Sequence, residues 1–203
     1  MKTSLVIVLS IAFSFHFYES NAASRMFLEA TQDPQEDLSE TWCNKTSDID
    51  HCINSNQADP RSDLKESRIG LTIIITEVAK SNASETLTKI DKLISTEKDR
   101  AILSMLYSCD QKYQNAFGDL DSALHFLNET KLNVQNLDRK HYEAINQELA
   151  AAAGEVNYCQ SFYRGPRPSP LADENGKFLE INDVALQLLN LIECDKFEPC
   201  RDS

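Results

Sequence analysis

The chain has 203 residues, with 32 acidic side chains against 20 Lys and Arg and a formal net charge of −12. A field this negative argues against nucleic acid, anionic lipid or anionic polysaccharide as ligands, and it suits a basic protein partner or simple solubility. The five glycines are scattered, so the sequence holds no phosphate-cradling loop, dinucleotide fingerprint or nucleophile elbow, and no cofactor is expected.

Residues 1–22 read as a cleaved signal peptide. Lys2 supplies the positive start, Leu5 to Phe17 the apolar run, and Ser20-Asn21-Ala22 small residues at the cleavage positions. The run turns polar at Glu19 and is short for a membrane span, and no later segment is apolar enough to replace it. The mature chain is therefore expected to be secreted and extracellular, and to act as a monomer. Its length suits one domain with a real core.

Residues 23–61 are less periodic and rich in Asp, Gln and Asn, and they hold Cys43 and Cys52 close together. Too poor in apolar residues to fold alone, they read as a helical hairpin appended to a larger unit, residues 62–203. There Asp63 and Glu66 resemble a capping box, followed by an amphipathic stripe of Leu71, Ile75, Ala79, Ala83, Leu87, Ile90 and Ile94. The triplet Ile73-Ile74-Ile75 suits a strand, yet the helical period continues beyond it.

The next two stripes carry cysteines. Ile102, Leu106, Cys109, Tyr113, Ala116, Leu120, Ala123 and Leu127 alternate steps of four and three, as do Tyr142, Ile145, Leu149, Ala152, Val156, Cys159 and Tyr163. That spacing keeps every member on one helix face, so each cysteine points toward whatever the stripe packs against. A last stripe, Phe178, Ile181, Ala185, Leu188 and Ile192, makes a fourth helix. Polar breaks at Ser95-Thr96, at residues 128–137 and at the Gly/Pro segment 165–170 are mostly short, which favours antiparallel neighbours. The expected fold is all-α: an up-down-up-down four-helix bundle with an N-terminal helical hairpin, stabilised by disulfides.

Six cysteines in an oxidising compartment point to disulfides. Fifteen pairings are formally open. Cys43 with Cys52 and Cys194 with Cys200 can each close a local loop, which leaves Cys109 for Cys159. An intermolecular bond through Cys194 or Cys200 is the alternative. Metal binding is disfavoured, since there is no C-x-x-C or H-E-x-x-H and only His51, His125 and His141 remain after cleavage. The acidic residues read as solvated helix faces, and His141 as a surface or capping residue, so no catalytic site is expected.

These residues resemble the plant invertase and pectin methylesterase inhibitor family. The resemblance runs over about residues 40–193 and rests on Cys43-Asn44-Lys45-Thr46 through Cys52, Ala58-Asp59-Pro60-Arg61-Ser62, Tyr107-Ser108-Cys109-Asp110-Gln111-Lys112-Tyr113, and Tyr142-Glu143-Ala144-Ile145-Asn146 through Leu149-Ala150-Ala151-Ala152 to Cys159. It implies a four-helix bundle with an N-terminal hairpin, disulfides Cys43–Cys52 and Cys109–Cys159, and a non-catalytic protein that blocks pectin methylesterase or acid invertase. The family's usual Tyr-Pro between the first two cysteines is replaced by Asp48-Ile49, and Cys194 and Cys200 lie beyond the common pattern.

Invertase-blocking members resemble one another in a Pro-Lys-Phe hook before the third bundle helix. Here Lys140 and Tyr142 are only a loose echo of it, and Tyr142 opens an apolar stripe as a core residue would. Pectin methylesterase is accordingly the expected target, met through polar helix faces. Invertase inhibition is the alternative, or a non-inhibitory secreted bundle acting as ligand, carrier or defence protein. Glycosylation sequons stand at Asn44, Asn82 and Asn128. Asn128, in a polar link, is the expected site, whereas Asn44 lies nearly buried in cysteine context and Asn82 flanks an apolar stripe.

Overall fold

The computed structural model describes residues 38–163 and 169–197. By compactness the chain divides into Met1–Gln35 and Glu36–Ser203, and every described residue belongs to the second unit. The signal-peptide segment, most of the Gly/Pro link and Cys200 lie outside the described residues. Those described form helices and no strand: α1 (Leu38–Cys43), α2 (Ile49–Ala58), α3 (Ser62–Lys65), α4 (Arg68–Thr96), α5 (Arg100–Glu129), α6 (Arg139–Ser161) and α7 (Ala172–Lys196), with one 3₁₀ turn at Val134–Asn136. No helix among them is long and apolar enough to cross a membrane.

Each long helix packs on its neighbours in sequence, and α7 closes back on α4. Paired residues descend in register. Lys80 meets Asp121 and Thr86 meets Tyr113 between α4 and α5; Lys112 meets Glu155 and Phe126 meets His141 between α5 and α6. Asn182 meets Leu149 and Asn190 meets Tyr142 between α6 and α7, and Arg68 meets Leu191 and Lys89 meets Glu174 between α4 and α7. As numbering rises in one helix it falls in the next, so these neighbours run antiparallel.

The stripes account for the core. From Leu106 to Leu127 on α5, from Tyr142 to Cys159 on α6 and from Phe178 to Ile192 on α7, the stripe residues are buried. Leu87, Ile94 and Ile102, at the margins, are only half-buried. Tyr163 falls past the end of α6 and is half-buried in the turn. The isoleucine triplet lies inside α4 with all three members buried. One face of α4 packs on the bundle, and α1, α2 and α3 cover another, so this stretch is apolar nearly all round, as a helix buried on several sides should be.

Two sequence-based expectations shift. Asp63 and Glu66 do not cap the long helix, because a separate one-turn helix, α3, intervenes and places Leu64 in the core. The cap is Ser67, whose side chain accepts from the amide of Gly70 at 2.9 Å. Gly70 is needed for closeness: a Cβ there would stand 2.0 Å from the carbonyl oxygen of Leu64, inside any contact distance. The break between α4 and α5 falls at residues 97–99, after Ser95-Thr96. Glu97 Oε1 accepts from the amides of Lys98 and Asp99 at 2.7 and 2.8 Å, and Asp99 caps α5.

Cys43 is bonded to Cys52, joining α1 to α2, and Cys109 to Cys159, joining α5 to α6. Cys194 is also in a disulfide. Beside the second bridge, the fully buried Tyr113 hydroxyl donates to Asn175 Oδ1 at 2.8 Å, and its ring meets Phe178 edge-on. Burial pushes that phenol well above its usual pKa, so it stays a neutral donor fixing α5 against α7.

Candidate functional site: the α5–α6 hairpin

The chemistry available on this surface is that of contact. Among the described residues no group of three or more His, Cys, Asp and Glu is placed to hold a metal ion. Three of the carboxylates, Asp121, Glu174 and Glu155, pair with lysines on neighbouring helices. The α5–α6 hairpin holds the residues expected to matter, Lys140 and Tyr142, together with two that the sequence reading passed over.

Tyr142 is 6% exposed. Its hydroxyl donates to Glu193 Oε2 at 2.5 Å on α7 and lies 3.0 Å from the Asn190 side-chain amide, and its ring leans on Phe197 at 6.1 Å between centroids. Burial, and then the carboxylate of Glu193, push its pKa up. The side chain is thus committed inward. Lys140, two residues earlier, is exposed. Sequence adjacency therefore does not bring the two into one surface feature: the helix turns one outward and the other inward.

His141 sits between them at the start of α6. Its amide donates to Asp138 Oδ1 at 2.8 Å, as an N-cap requires, and its Nδ1 lies 2.8 Å from the same oxygen. Its Nε2 lies 3.4 Å from Glu129. The backbone amide of His141, then its ring, hold the Asp138 carboxyl below the usual range. His141 is a capping neighbour at a helix entrance.

At the opposite end of the hairpin, Tyr107 is 59% and Tyr158 55% exposed, the two most exposed large hydrophobic side chains among the described residues. Tyr158 lies over Lys112, 4.6 Å from its Nζ, and meets Phe162 edge-on at 5.1 Å; Lys112 pairs with Glu155 at 2.8 Å. The signal was present in the sequence. Tyr158 directly precedes Cys159 and Tyr107 precedes Cys109 by two, so each is rotated far from a stripe already assigned to the core. Between the ends, Asp119 faces Glu148 and Glu155, and burial, then these like charges, raise its pKa.

The sequons fall in three environments. Asn44 is exposed rather than buried, because α1 ends at Cys43 and only that cysteine and Thr46 turn inward. Asn82 is 6% exposed on the face of α4. Asn128 is exposed in the last turn of α5, its Nδ2 donating to the Leu124 carbonyl at 2.8 Å.

Residues 37–188 match the family model described as plant invertase/pectin methylesterase inhibitor. The chain is 26% identical over 165 residues to "Cell wall / vacuolar inhibitor of fructosidase 2" of Arabidopsis thaliana, covering 81% of each. It is 25% identical over 156 residues to "Pectinesterase inhibitor" of Actinidia deliciosa, covering 76% of this chain and 78% of that one. Among solved structures, a pectin methylesterase inhibitor from Arabidopsis thaliana shares the fold at a TM-score of 0.54 and 19% identity, over 78% of this chain and 97% of that one. A mutant form of a pectin methylesterase inhibitor from Arabidopsis does so at 0.58, over 75% and 95%. Relatives bearing these names are inhibitors and not catalysts, and the chain belongs to the plant invertase/pectin methylesterase inhibitor family.

Proposed function

We propose that this protein is a secreted inhibitor that occludes the cleft of a cell-wall pectin methylesterase, and that acid invertase is the weaker target. The observation that carries this choice is Tyr142. A hook needs a projecting side chain, and Tyr142, which stands where the hook's aromatic would, is buried and hydrogen-bonded to α7. What the molecule offers instead is broad helix faces on a rigid, disulfide-braced frame, with Tyr107 and Tyr158 as large amphipathic anchors of the kind enriched in interfaces. The −12 net charge favours a basic target, so association should slow with added salt.

The invertase reading is favoured by one finding, the likeness to a relative named for fructosidase inhibition. Titrating the purified mature protein against both enzymes decides between them. Stronger inhibition of pectin methylesterase is expected. Potent inhibition of invertase that is lost in Lys140→Ala would overturn the choice of target.

A further inference from the structure

The link between α5 and α6 is held in an unusual shape. Lys131 and Leu132 stand at φ 52° and 60°, so two consecutive residues with side chains occupy the left-handed region that L-residues avoid. Just beyond, the carbonyls of Val134, Gln135 and Leu137 converge on a single ammonium. Lys196 Nζ donates to them at 2.5, 2.9 and 2.5 Å. An ammonium carries three protons and no acceptor, so three carbonyls satisfy it fully.

The holder is itself well held. Lys196 is the last residue of α7. Phe197, next to it, packs on Tyr142 and receives the Arg139 guanidinium at 5.3 Å from its ring centre. Cys194, two residues earlier, is in a disulfide. Local bonds, among them Asn136 Nδ2 to the Thr130 carbonyl at 2.9 Å, shape the first half of the link, and the second half is tied to a segment about sixty residues further along the chain.

One left-handed residue after a helix is an ordinary stop, but two in succession, both with side chains, followed by a clasp on three carbonyls exceed what joining two antiparallel helices requires. Strained backbone persists where its surroundings over-determine it, and a surface ordered in advance binds more tightly because the ordering cost is already met. We infer that Lys196 is a positioning residue. By drawing the carbonyls of Val134, Gln135 and Leu137 onto α7 it fixes the edge formed by Lys131, Arg139 and Lys140, all exposed, as a second contact for the target enzyme at the end of the hairpin away from Tyr107 and Tyr158. This rests on the inhibitor reading above.

The test uses the full disulfide-bonded chain. Lys196→Met keeps the aliphatic stem and removes the donor, and Lys196→Arg keeps the charge. Hydrogen exchange in peptides covering 130–138 should quicken about tenfold in Lys196→Met, while the middles of α4 and α5 stay protected. Inhibition of whichever enzyme the wild type blocks should weaken about tenfold, through faster dissociation. Lys196→Arg should retain part of both properties. Unchanged exchange in the link overturns the inference, as does a loosened link with unchanged affinity. So does a uniform loss of protection through the bundle, which would make Lys196 a general stability residue. A wild-type chain that inhibits neither enzyme defeats the inhibitor reading instead, and exchange alone then decides whether Lys196 fixes the link.

Discussion

The two ends of the α5–α6 hairpin are fastened by different physics. Near one end a covalent bond, Cys109–Cys159, joins two helices whose inner faces are buried for several turns from the bridge toward the link. At the other, a link that opens on two left-handed residues is tied further along, at Val134, Gln135 and Leu137, by three hydrogen bonds from one lysine, and it ends in the cap of α6. The first arrangement restricts the unfolded chain as much as it joins the folded one. The second is local, and its lysine contributes nothing until α7 has docked. The disulfide end should therefore govern global stability, and the link end the order of one surface.

Removing the bridge has the largest effect. Cys109→Ser paired with Cys159→Ser should lower stability by about 2–5 kcal/mol, read from chemical denaturation of the purified chain. A loss under about 1 kcal/mol would mean that the apolar seam alone holds the hairpin. At the link end, Asp138→Ala removes the N-cap of α6 and should lower the unfolding midpoint at neutral pH by a few degrees. The sign with pH follows from a depressed carboxyl: the stabilisation is complete above the unfolded value near 3.8 and is lost as pH falls through the lower folded value. The wild type and Asp138→Ala should therefore converge in strong acid. A gap that persists there would assign the cap's effect to packing.

The difference between the ends also explains what was legible. The cysteine stripes could be read because helical period is local and a residue's face follows from counting. Tyr142 could be weighed as core for the same reason, since it continues a stripe. The Ile73-Ile74-Ile75 triplet was ambiguous, because burial on a second side comes from α1 to α3, which no local window contains. The false capping box has a similar origin. D-x-x-E at Asp63 has the right spacing, but Leu64 is drawn into the core and a one-turn helix forms before Ser67 supplies the true cap. Lys196 gave no signal at all: a lysine near a helix C-terminus is ordinary, and its carbonyl partners belong to a different connection.

The strain itself can be probed by relieving it. In Lys131→Gly the left-handed backbone costs nothing, a gain of about 1–2 kcal/mol, against about 0.5–1 kcal/mol of extra freedom lost on folding by glycine. Because Lys131 is exposed, no packing is forfeited, and a net stabilisation of about 0.5 kcal/mol is expected. Denaturation midpoints of the two proteins measure it. A net loss would show that the Lys131 side chain makes a contact worth more than the strain.

Midway between the ends, Asp119 offers the smallest and most diagnostic change. It faces Glu148 and Glu155 on α6, and Glu155 is shared with Lys112 at 2.8 Å, so Asp119 has two like charges and no cation of its own among the groups that move its pKa. Burial and those charges raise its folded pKa. The sign is thus opposite to that of Asp138: the ionised form costs stability at every pH above the raised value, and the cost fades as pH falls toward the unfolded value near 3.8. Asp119→Asn, which mimics the protonated acid, should stabilise the protein at neutral pH by only a few tenths of a kcal/mol, because the group is only partly buried and solvent screens its charge. Below about pH 3 the gain should vanish. A gain independent of pH would mean that the amide has found a new hydrogen bond to α6. Destabilisation at neutral pH would mean that the ionised carboxylate is held by a cation, and that the middle of the hairpin is braced electrostatically.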